Sequence, residues 1–154
     1  MPNTYAQIYM HFIFAVFNRD CLIMDSWKDE LYKYITGIVE NHRQHLMAIG
    51  GHYDHVHMLV SLSPAMSCSD LMAEVKRSSS KWINDKRFVL GRFSWQEGFG
   101  AFSYSQSQIQ NVIQYIQNQE EHHRVRTFRE EYILFLKQFH VDYDEKYIFK
   151  ETDD

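Results

Sequence analysis

Two histidines, His55 and His57, stand two residues apart in the stretch HVHMLVSL, which has the composition of a β-strand. Side chains two apart on a strand point to the same face, so the two imidazoles lie side by side. Such a pair can supply two ligands to one divalent metal ion. Two histidines on a solvated or partly buried sheet face are the alternative. Asp54, just before them, either orients one imidazole or ends the preceding turn.

A tyrosine and a glutamine, Tyr115 and Gln119, stand one helical turn apart in segment 107–124. The apolar residues of this segment form one stripe at helical spacing, and polar residues form a second stripe on another face. The second stripe consists of Gln108, Asn111, Tyr115, Gln119 and His122. A solvent-facing stripe usually carries Glu and Lys, whereas this one is uncharged, which favours a site around the phenol. A core-edge tyrosine beside solvated glutamines is the alternative.

A basic segment, residues 76–92, carries six basic residues and one acidic residue, a net charge of +5. Serines and a tryptophan are interleaved with the basic residues. Basic groups neutralise phosphates, hydroxyls donate to phosphate oxygens, and an aromatic ring can stack on a base. The segment therefore predicts a nucleic-acid contact, through Lys76, Arg77, Ser79, Ser80, Lys81 and Arg87. An ordinary solvated face with Trp82 in the core is the alternative.

The elements that must hold these residues follow the order β-α-β-β-α-β-α-α. Predicted strands span 5–17, 45–51, 55–62 and 93–105, and predicted helices, capped at Ser26, Ser67 and Thr127, span 27–43, 67–84, 107–124 and 127–139. The first six elements form the ferredoxin-like βαββαβ pattern, an α+β fold with an antiparallel sheet and helices on one face. Its first and third strands lie at the centre. The C-terminal helices follow and carry the tyrosine.

The chain has 154 residues, the size of one domain, and we treat 1–154 as a single domain with an acidic tail over about 141–154. Its net charge of −4 argues against a protein that coats nucleic acid uniformly. Residues 129–154 carry this whole acidic excess, so a local contact through residues 76–92 remains compatible with it. Two cysteines build no disulfide framework and no apolar stretch is long enough for a membrane span, so we expect a cytoplasmic protein without a membrane partner.

Together these motifs resemble one family, the single-tyrosine HUH transposases of small bacterial insertion sequences, which include the REP-associated tyrosine transposases. The matching motifs are Asp54-His55-Val56-His57 with its apolar strand, the basic serine cluster 76–80, the ribbon 95–102, Tyr115-Ile116-x-x-Gln119 on its helix, and the run 119–132. Each motif alone is weak. The ordered set is specific and covers nearly the whole chain.

The resemblance implies a nucleoid-associated DNA transposase that cleaves single-stranded DNA, recognises hairpin ends and transfers the strand. It implies that His55, His57 and Gln119 hold a divalent ion, Mg²⁺ or Mn²⁺. Tyr115 would attack the phosphate and form a 5′-phosphotyrosine with a free 3′-hydroxyl. Strand transfer would need no ATP because the phosphotyrosine keeps the bond energy. The family also implies a homodimer in which the tyrosine helix of one subunit completes the metal site of the other.

Two further histidines lie near the predicted ligands. His52 stands where the family has a small residue or proline, and His122 lies beyond Gln119, so both are candidate competing ligands. Two other functions stay open. One is a domesticated hairpin-binding protein without cleavage activity, and the other is a metal hydrolase that uses His55 and His57 on a small substrate. The hydrolase leaves the basic segment and the ordered family match unexplained.

Overall fold

The computed structural model describes residues 3–119, 127–144 and 148. Its strands are β1 Ile8–Ala15, β2 His45–His52, β3 His55–Leu62 and β4 Gly100–Tyr104. Its helices are α1 Asp25–Asn41, α2 Cys68–Lys86, α3 Ile109–Gln117 and α4 Phe128–Gln138. The α+β class and the order of elements are as predicted. No helix in these residues is both long and apolar enough to cross a membrane.

The four strands form one antiparallel sheet in the order β2-β3-β1-β4. β1 and β3 therefore lie at its centre, as the ferredoxin-like pattern requires. Alternate residues of a strand face opposite sides of the sheet. In β1, Phe12 and Phe14 belong to one core, and Ile13 and Ala15 belong to another. Both faces of the sheet are therefore covered.

The helices divide between these two faces. α1 and α2 pack on the face that carries Phe12, Phe14 and Met58 and form the larger core. On the opposite face, α3 packs against Leu59 of β3, and α4 packs against Phe102 of β4. The ferredoxin-like prediction of helices on one face is confirmed for α1 and α2, and the C-terminal helices close the other face.

Two of the three predicted helix caps form. The hydroxyls of Ser67 and Thr127 each accept a hydrogen bond from the amide three residues on, at 3.0 and 3.1 Å. The cap predicted at Ser26 is wrong, because α1 begins at Asp25 and its N-cap residue, Met24, makes no side-chain hydrogen bond.

Three predicted elements are longer than the observed ones. β1 begins at Ile8 instead of residue 5, and β4 begins at Gly100 instead of residue 93. Residues 93–99 form a loop in which Gly98 has a φ of +88° and Trp95 makes an isolated bridge to Val16 of the chain after β1. α3 follows a short 3₁₀ turn, Gln106–Gln108, and the predicted helical residues 120–124 lie outside the described residues.

Two glycines let the C-terminal helices approach the sheet. A Cβ atom on Gly50 would lie 2.2 Å from the carbonyl oxygen of Ile116 in α3, and one on Gly100 would lie 2.9 Å from the hydroxyl of Tyr132 in α4. Both glycines belong to the cross-strand row that contains His57. The two C-terminal helices, α3 and α4, therefore rest on either side of His57.

Candidate active site

His55 and His57 lie on the face of β3 that α3 and α4 cover, and both side chains are fully buried. Their ring centroids are 5.1 Å apart. Val56 and Met58 point into the core on the other face, as the alternation of the strand predicts. The two imidazoles therefore meet other side chains of the protein and do not line a solvated sheet surface.

Asp54 orients His55. Its Oδ1 lies 2.7 Å from Nδ1 of His55, and because a carboxylate only accepts, the ring donates its Nδ1 proton. Nε2 of His55 then faces the interior of the site. Arg19 forms an ion pair with the other carboxylate oxygen, with Nε 3.4 Å from Oδ2, and its guanidinium lies over the ring of Phe128 in α4. Sequence reasoning missed Arg19, because nothing local marks it as a buried partner of Asp54.

His57 has a different partner, the ring of His11 in β1. Nε2 of His11 lies 2.7 Å from Nδ1 of His57, and both residues are fully buried. Burial, and then the neighbouring His57, lower the pKa of His11 well below its ordinary value, against an opposing effect of Glu131. His11 is therefore neutral. The sequence signal for it was a single histidine within an otherwise apolar strand.

Glu131 of α4 joins the two histidines from the opposite side. Its Oε1 lies 3.0 Å from Nε2 of His57 and 3.9 Å from Nε2 of His55, and the residue is 1% exposed. Sequence reasoning missed its role. The available signal was an acid in the buried stripe of an amphipathic helix, between Phe128 and Phe135. Charged side chains are seldom fully buried without a partner.

Tyr115 of α3 reaches the same carboxylate. Its hydroxyl donates a hydrogen bond to Oε2 of Glu131, and its ring centroid lies 5.9 Å from that of His57. The side chain is half-buried, so Tyr115 lies at the edge of the buried cluster. Of the residues proposed from the sequence, Tyr115, His55 and His57 are thus brought into one cluster.

Two other tyrosines, Tyr104 and Tyr132, lie close to this cluster. Burial raises the pKa of Tyr104 and that of Tyr132 to about 12. Their phenols are therefore harder to deprotonate than an ordinary tyrosine side chain, and a protonated phenol is a poor nucleophile.

Gln119 also lies at the site, with its side chain buried. Its Oε1 is 3.2 Å from Nε2 of His55, and its Nε2 donates to the carbonyl oxygen of Tyr115 at 3.3 Å. Of the two candidate competitors, His52 packs its ring at a tilt against Tyr53, with a centroid distance of 4.5 Å, and His122 lies outside the described residues.

These donor atoms fit a divalent cation. One ligand atom each from His55, His57 and Glu131 lies within 4.8 Å of the others, and this is the one such group in the described part of the chain. In addition, the amide oxygen of Gln119 lies 3.2 Å from Nε2 of His55, so Gln119 offers a fourth candidate ligand atom beside this group.

The basic segment lies across the sheet from this cluster. The C-terminal half of α2 and the loop that follows it form an open groove of about 820 Å³. Its charged lining residues are Arg77, Lys81, Arg87 and Arg92, with one acid, Asp85. Ser80 lines the groove as well. Arg77 and Lys81 make ion pairs on the helix surface with Glu74 and Asp85, at 2.5 and 2.8 Å.

Two of the residues predicted to contact nucleic acid, Ser79 and Lys76, instead make hydrogen bonds within the protein. Ser79 is fully buried, and its hydroxyl donates to the carbonyl of Val75 and accepts from Nε1 of Trp95, so it supports the loop and does not face the groove. Lys76 is half-buried and donates to the carbonyl oxygens of Gln96 and Gly98. Burial lowers the pKa of Lys76 to about 8, an effect that Glu97 opposes.

The chain is similar to known proteins both in sequence family and in fold. The model of the family described as IS200-like transposases matches residues 4–119. Among solved structures, a candidate transposase from Deinococcus radiodurans R1 has 21% sequence identity and a TM-score of 0.60, over 76% of this chain and 94% of that one. A REP-associated tyrosine transposase bound to a REP hairpin has 16% identity and a TM-score of 0.56, over 74% and 67%. These two share the fold. No curated protein gives a significant match.

Proposed function

We propose that this chain, which belongs to the IS200-like transposase family, cleaves single-stranded DNA and rejoins it through a covalent bond between Tyr115 and a 5′-phosphate. The main support is the convergence of three groups on one buried carboxylate. Glu131 accepts a hydrogen bond from the hydroxyl of Tyr115, and its Oε1 lies 3.0 Å from Nε2 of His57 and 3.9 Å from Nε2 of His55. A phenol held beside metal-type ligands is suited to attack a phosphate.

His55, His57, Gln119 and Glu131 are the residues that would hold a divalent ion, and we propose Mg²⁺ or Mn²⁺. Carboxylate and amide oxygens suit these hard ions, although two imidazoles also accept Zn²⁺. When bound, the ion supplies positive charge that polarises the scissile phosphate. Glu131 extends the three-residue set that the family resemblance implies.

Tyr115 is the nucleophile in this mechanism. Its oxygen forms a bond to phosphorus while the bond from phosphorus to the 3′-oxygen breaks, which leaves a 5′-phosphotyrosine and a 3′-hydroxyl. Oε2 of Glu131, the acceptor of the Tyr115 hydrogen bond, receives the phenol proton, and the 3′-oxygen takes a proton from water. The number of phosphodiester bonds is unchanged. A 3′-hydroxyl can therefore attack the phosphotyrosine and join strands without ATP.

We propose that the groove beside α2 binds the DNA stem through its basic side chains. The loop of this groove is tied to the end of β1, because the amide of Phe17 donates to the carbonyl of Ser94 at 3.0 Å and that of Gln96 donates to Ala15 at 2.7 Å. Ala15 is the register partner of His55. We propose that the DNA passes from the groove around this end of the sheet to the site. The hairpin held by one similar structure supports hairpin ends as the substrate.

We also propose that the protein acts as a homodimer, as the family resemblance implies. Tyr115 already contacts Glu131 of its own chain. Dimerisation is therefore not required to bring a tyrosine to the cluster.

A covalent-adduct assay tests the function. The protein is incubated with hairpin-ended oligonucleotides taken from the DNA that flanks its gene, with Mg²⁺ or Mn²⁺, and analysed on a denaturing gel. We expect an adduct with the wild type and with the control Tyr104→Phe, and none with Tyr115→Phe or with EDTA. An equal adduct with Tyr115→Phe would show that Tyr115 is not the nucleophile. Hairpin binding by the wild type without any adduct would favour the binding-protein alternative.

A further inference from the structure

We propose that His11 is a positioning residue for His57. Its Nε2 is hydrogen-bonded to Nδ1 of His57 and so holds that ring with Nε2 pointing toward Glu131. This role depends on the metal-binding function of His57 proposed above. His11 lies on the central strand β1, and no step of the reaction described so far uses it.

The register of the sheet brings the two rings together. His57 lies opposite Ile13, and His11 precedes Ile13 by two residues, so His11 and His57 are diagonal neighbours on one face. Nε2 of His11 lies 2.7 Å from Nδ1 of His57, which is a short hydrogen bond between two fully buried side chains. The ring centroids are 5.0 Å apart.

The surroundings of His11 hold this orientation. Phe135 of α4 packs edge to face with its ring at 5.3 Å, and the Tyr104 ring lies at 6.1 Å. In the described part of the chain, Nδ1 of His11 is buried and has no hydrogen-bond partner. The polar function of His11 is therefore directed at His57 through Nε2. A residue that only filled space would gain nothing from this buried polar ring, since Phe has a similar shape.

The chemistry of a ligand histidine explains the need for this partner. A neutral imidazole binds a metal through its unprotonated nitrogen, so a ligand Nε2 requires the proton on Nδ1, and that proton needs an acceptor. For His55 the acceptor is the carboxylate of Asp54. For His57, Nε2 of His11 lies at hydrogen-bond distance from Nδ1 and would accept this proton when Nε2 of His57 binds the ion.

Metal affinity of the full chain tests this role without reference to activity. We expect His11→Phe to weaken Mn²⁺ binding, measured by calorimetry, by about 10- to 100-fold, the usual effect of losing such a partner. His11→Gln, whose amide reaches the position of Nε2, should keep nearly wild-type affinity. His11→Asn, whose shorter amide reaches only the position of Nδ1, should behave like His11→Phe. Nitrogen NMR of the imidazoles should show His57 protonated at Nδ1 in the wild type with metal.

Two results would overturn the proposal: Mn²⁺ affinity of folded His11→Phe equal to that of the wild type, or equal loss in His11→Gln and His11→Asn. If His11→Phe fails to fold, the comparison of Gln with Asn decides, because both are polar and differ in reach alone. The variant His57→Ala distinguishes a failure of the proposed metal site from a failure of the proposed role of His11. If it leaves Mn²⁺ affinity unchanged, the metal site itself is wrong. If it abolishes binding while the His11 variants bind normally, only the role of His11 fails.

Discussion

Oε1 of Glu131 in α4 lies 3.0 Å from Nε2 of His57 in β3, although the two residues are 74 positions apart in the chain. The IS200-like family model matches residues 4–119, so α4 begins beyond the matched part. A helix outside the family match thus supplies a carboxylate to the centre of the site. That carboxylate also accepts a hydrogen bond from the hydroxyl of Tyr115. A substitution that removes its charge but keeps its shape should therefore slow the reaction while the protein still folds.

Glu131→Gln should form the covalent adduct about 10²- to 10⁴-fold more slowly than the wild type. The amide keeps the shape of the side chain but cannot accept the phenol proton. Glu130→Gln is the matched control, because Glu130 precedes it on the same helix and is exposed. Single-turnover gel assays measure both rates. Equal rates for Glu131→Gln and the wild type would remove Glu131 from the mechanism.

Gly50→Ala should displace α3 and impair adduct formation. The new Cβ would lie 2.2 Å from the backbone oxygen of Ile116, and backbone cannot rotate away as a side chain can. We expect a loss of about 1–3 kcal/mol in the free energy of unfolding, typical of overpacking. Gly37→Ala is the control, because no atom lies within 4 Å of its Cβ position in α1. That change should stabilise the helix by about 0.5–1 kcal/mol. Urea unfolding measures both, and an unaltered Gly50→Ala protein would contradict the close packing.

The double variant Lys81→Ala, Arg92→Ala should bind DNA with lower affinity than the wild type. Its affinity should also change less with salt concentration. Both residues line the groove beside α2. If each contacts one phosphate, the slope of log affinity against log salt concentration should become less steep by about 2. Lys33→Ala, an exposed change on α1, is the control. Fluorescence anisotropy with a labelled hairpin at several salt concentrations measures the slope. An unchanged slope would show that the groove does not hold the DNA.

Lys76 should make stability rise with pH on the alkaline side. Burial lowers the pKa of Lys76 from 10.5 to about 8. Between these two values the unfolded chain binds more protons than the folded one, so the free energy of unfolding increases as pH rises through this window and is flat below it. The free energy of unfolding of the wild type, relative to that of Lys76→Met, should therefore be larger at pH 9.5 than at pH 7. Urea unfolding at the two pH values measures this difference. Parallel behaviour of the two proteins would contradict it.

A mixing experiment tests whether the site is complete within one chain. Tyr115→Phe and His57→Ala should each be inactive alone. Because Tyr115 contacts Glu131 of its own chain, we expect their mixture to remain inactive in the adduct assay. Recovery of activity in the mixture would show that the tyrosine of one subunit serves the histidines of the other.

Features that depend on neighbours in sequence could be predicted from the sequence. A strand has a period of two residues, which sets His55 and His57 on one face. A helix has a turn of about four residues, which sets Tyr115 beside Gln119. The caps at Ser67 and Thr127 depend on a spacing of three residues and also form. The ferredoxin-like order followed from the succession of such elements.

Tertiary structure alone decided which distant residues meet. His11 reaches His57 only because β1 pairs with β3 in one register, and a shift of one residue would turn it to the other face. Glu131 reaches the site because a glycine row lets α3 and α4 lie close to the sheet. Ser79 is buried because α2 turns that side toward Trp95. Sheet register and helix packing arise from contacts across the whole chain, so local spacing predicted the positions of His55, His57 and Tyr115 but not the residues that meet them.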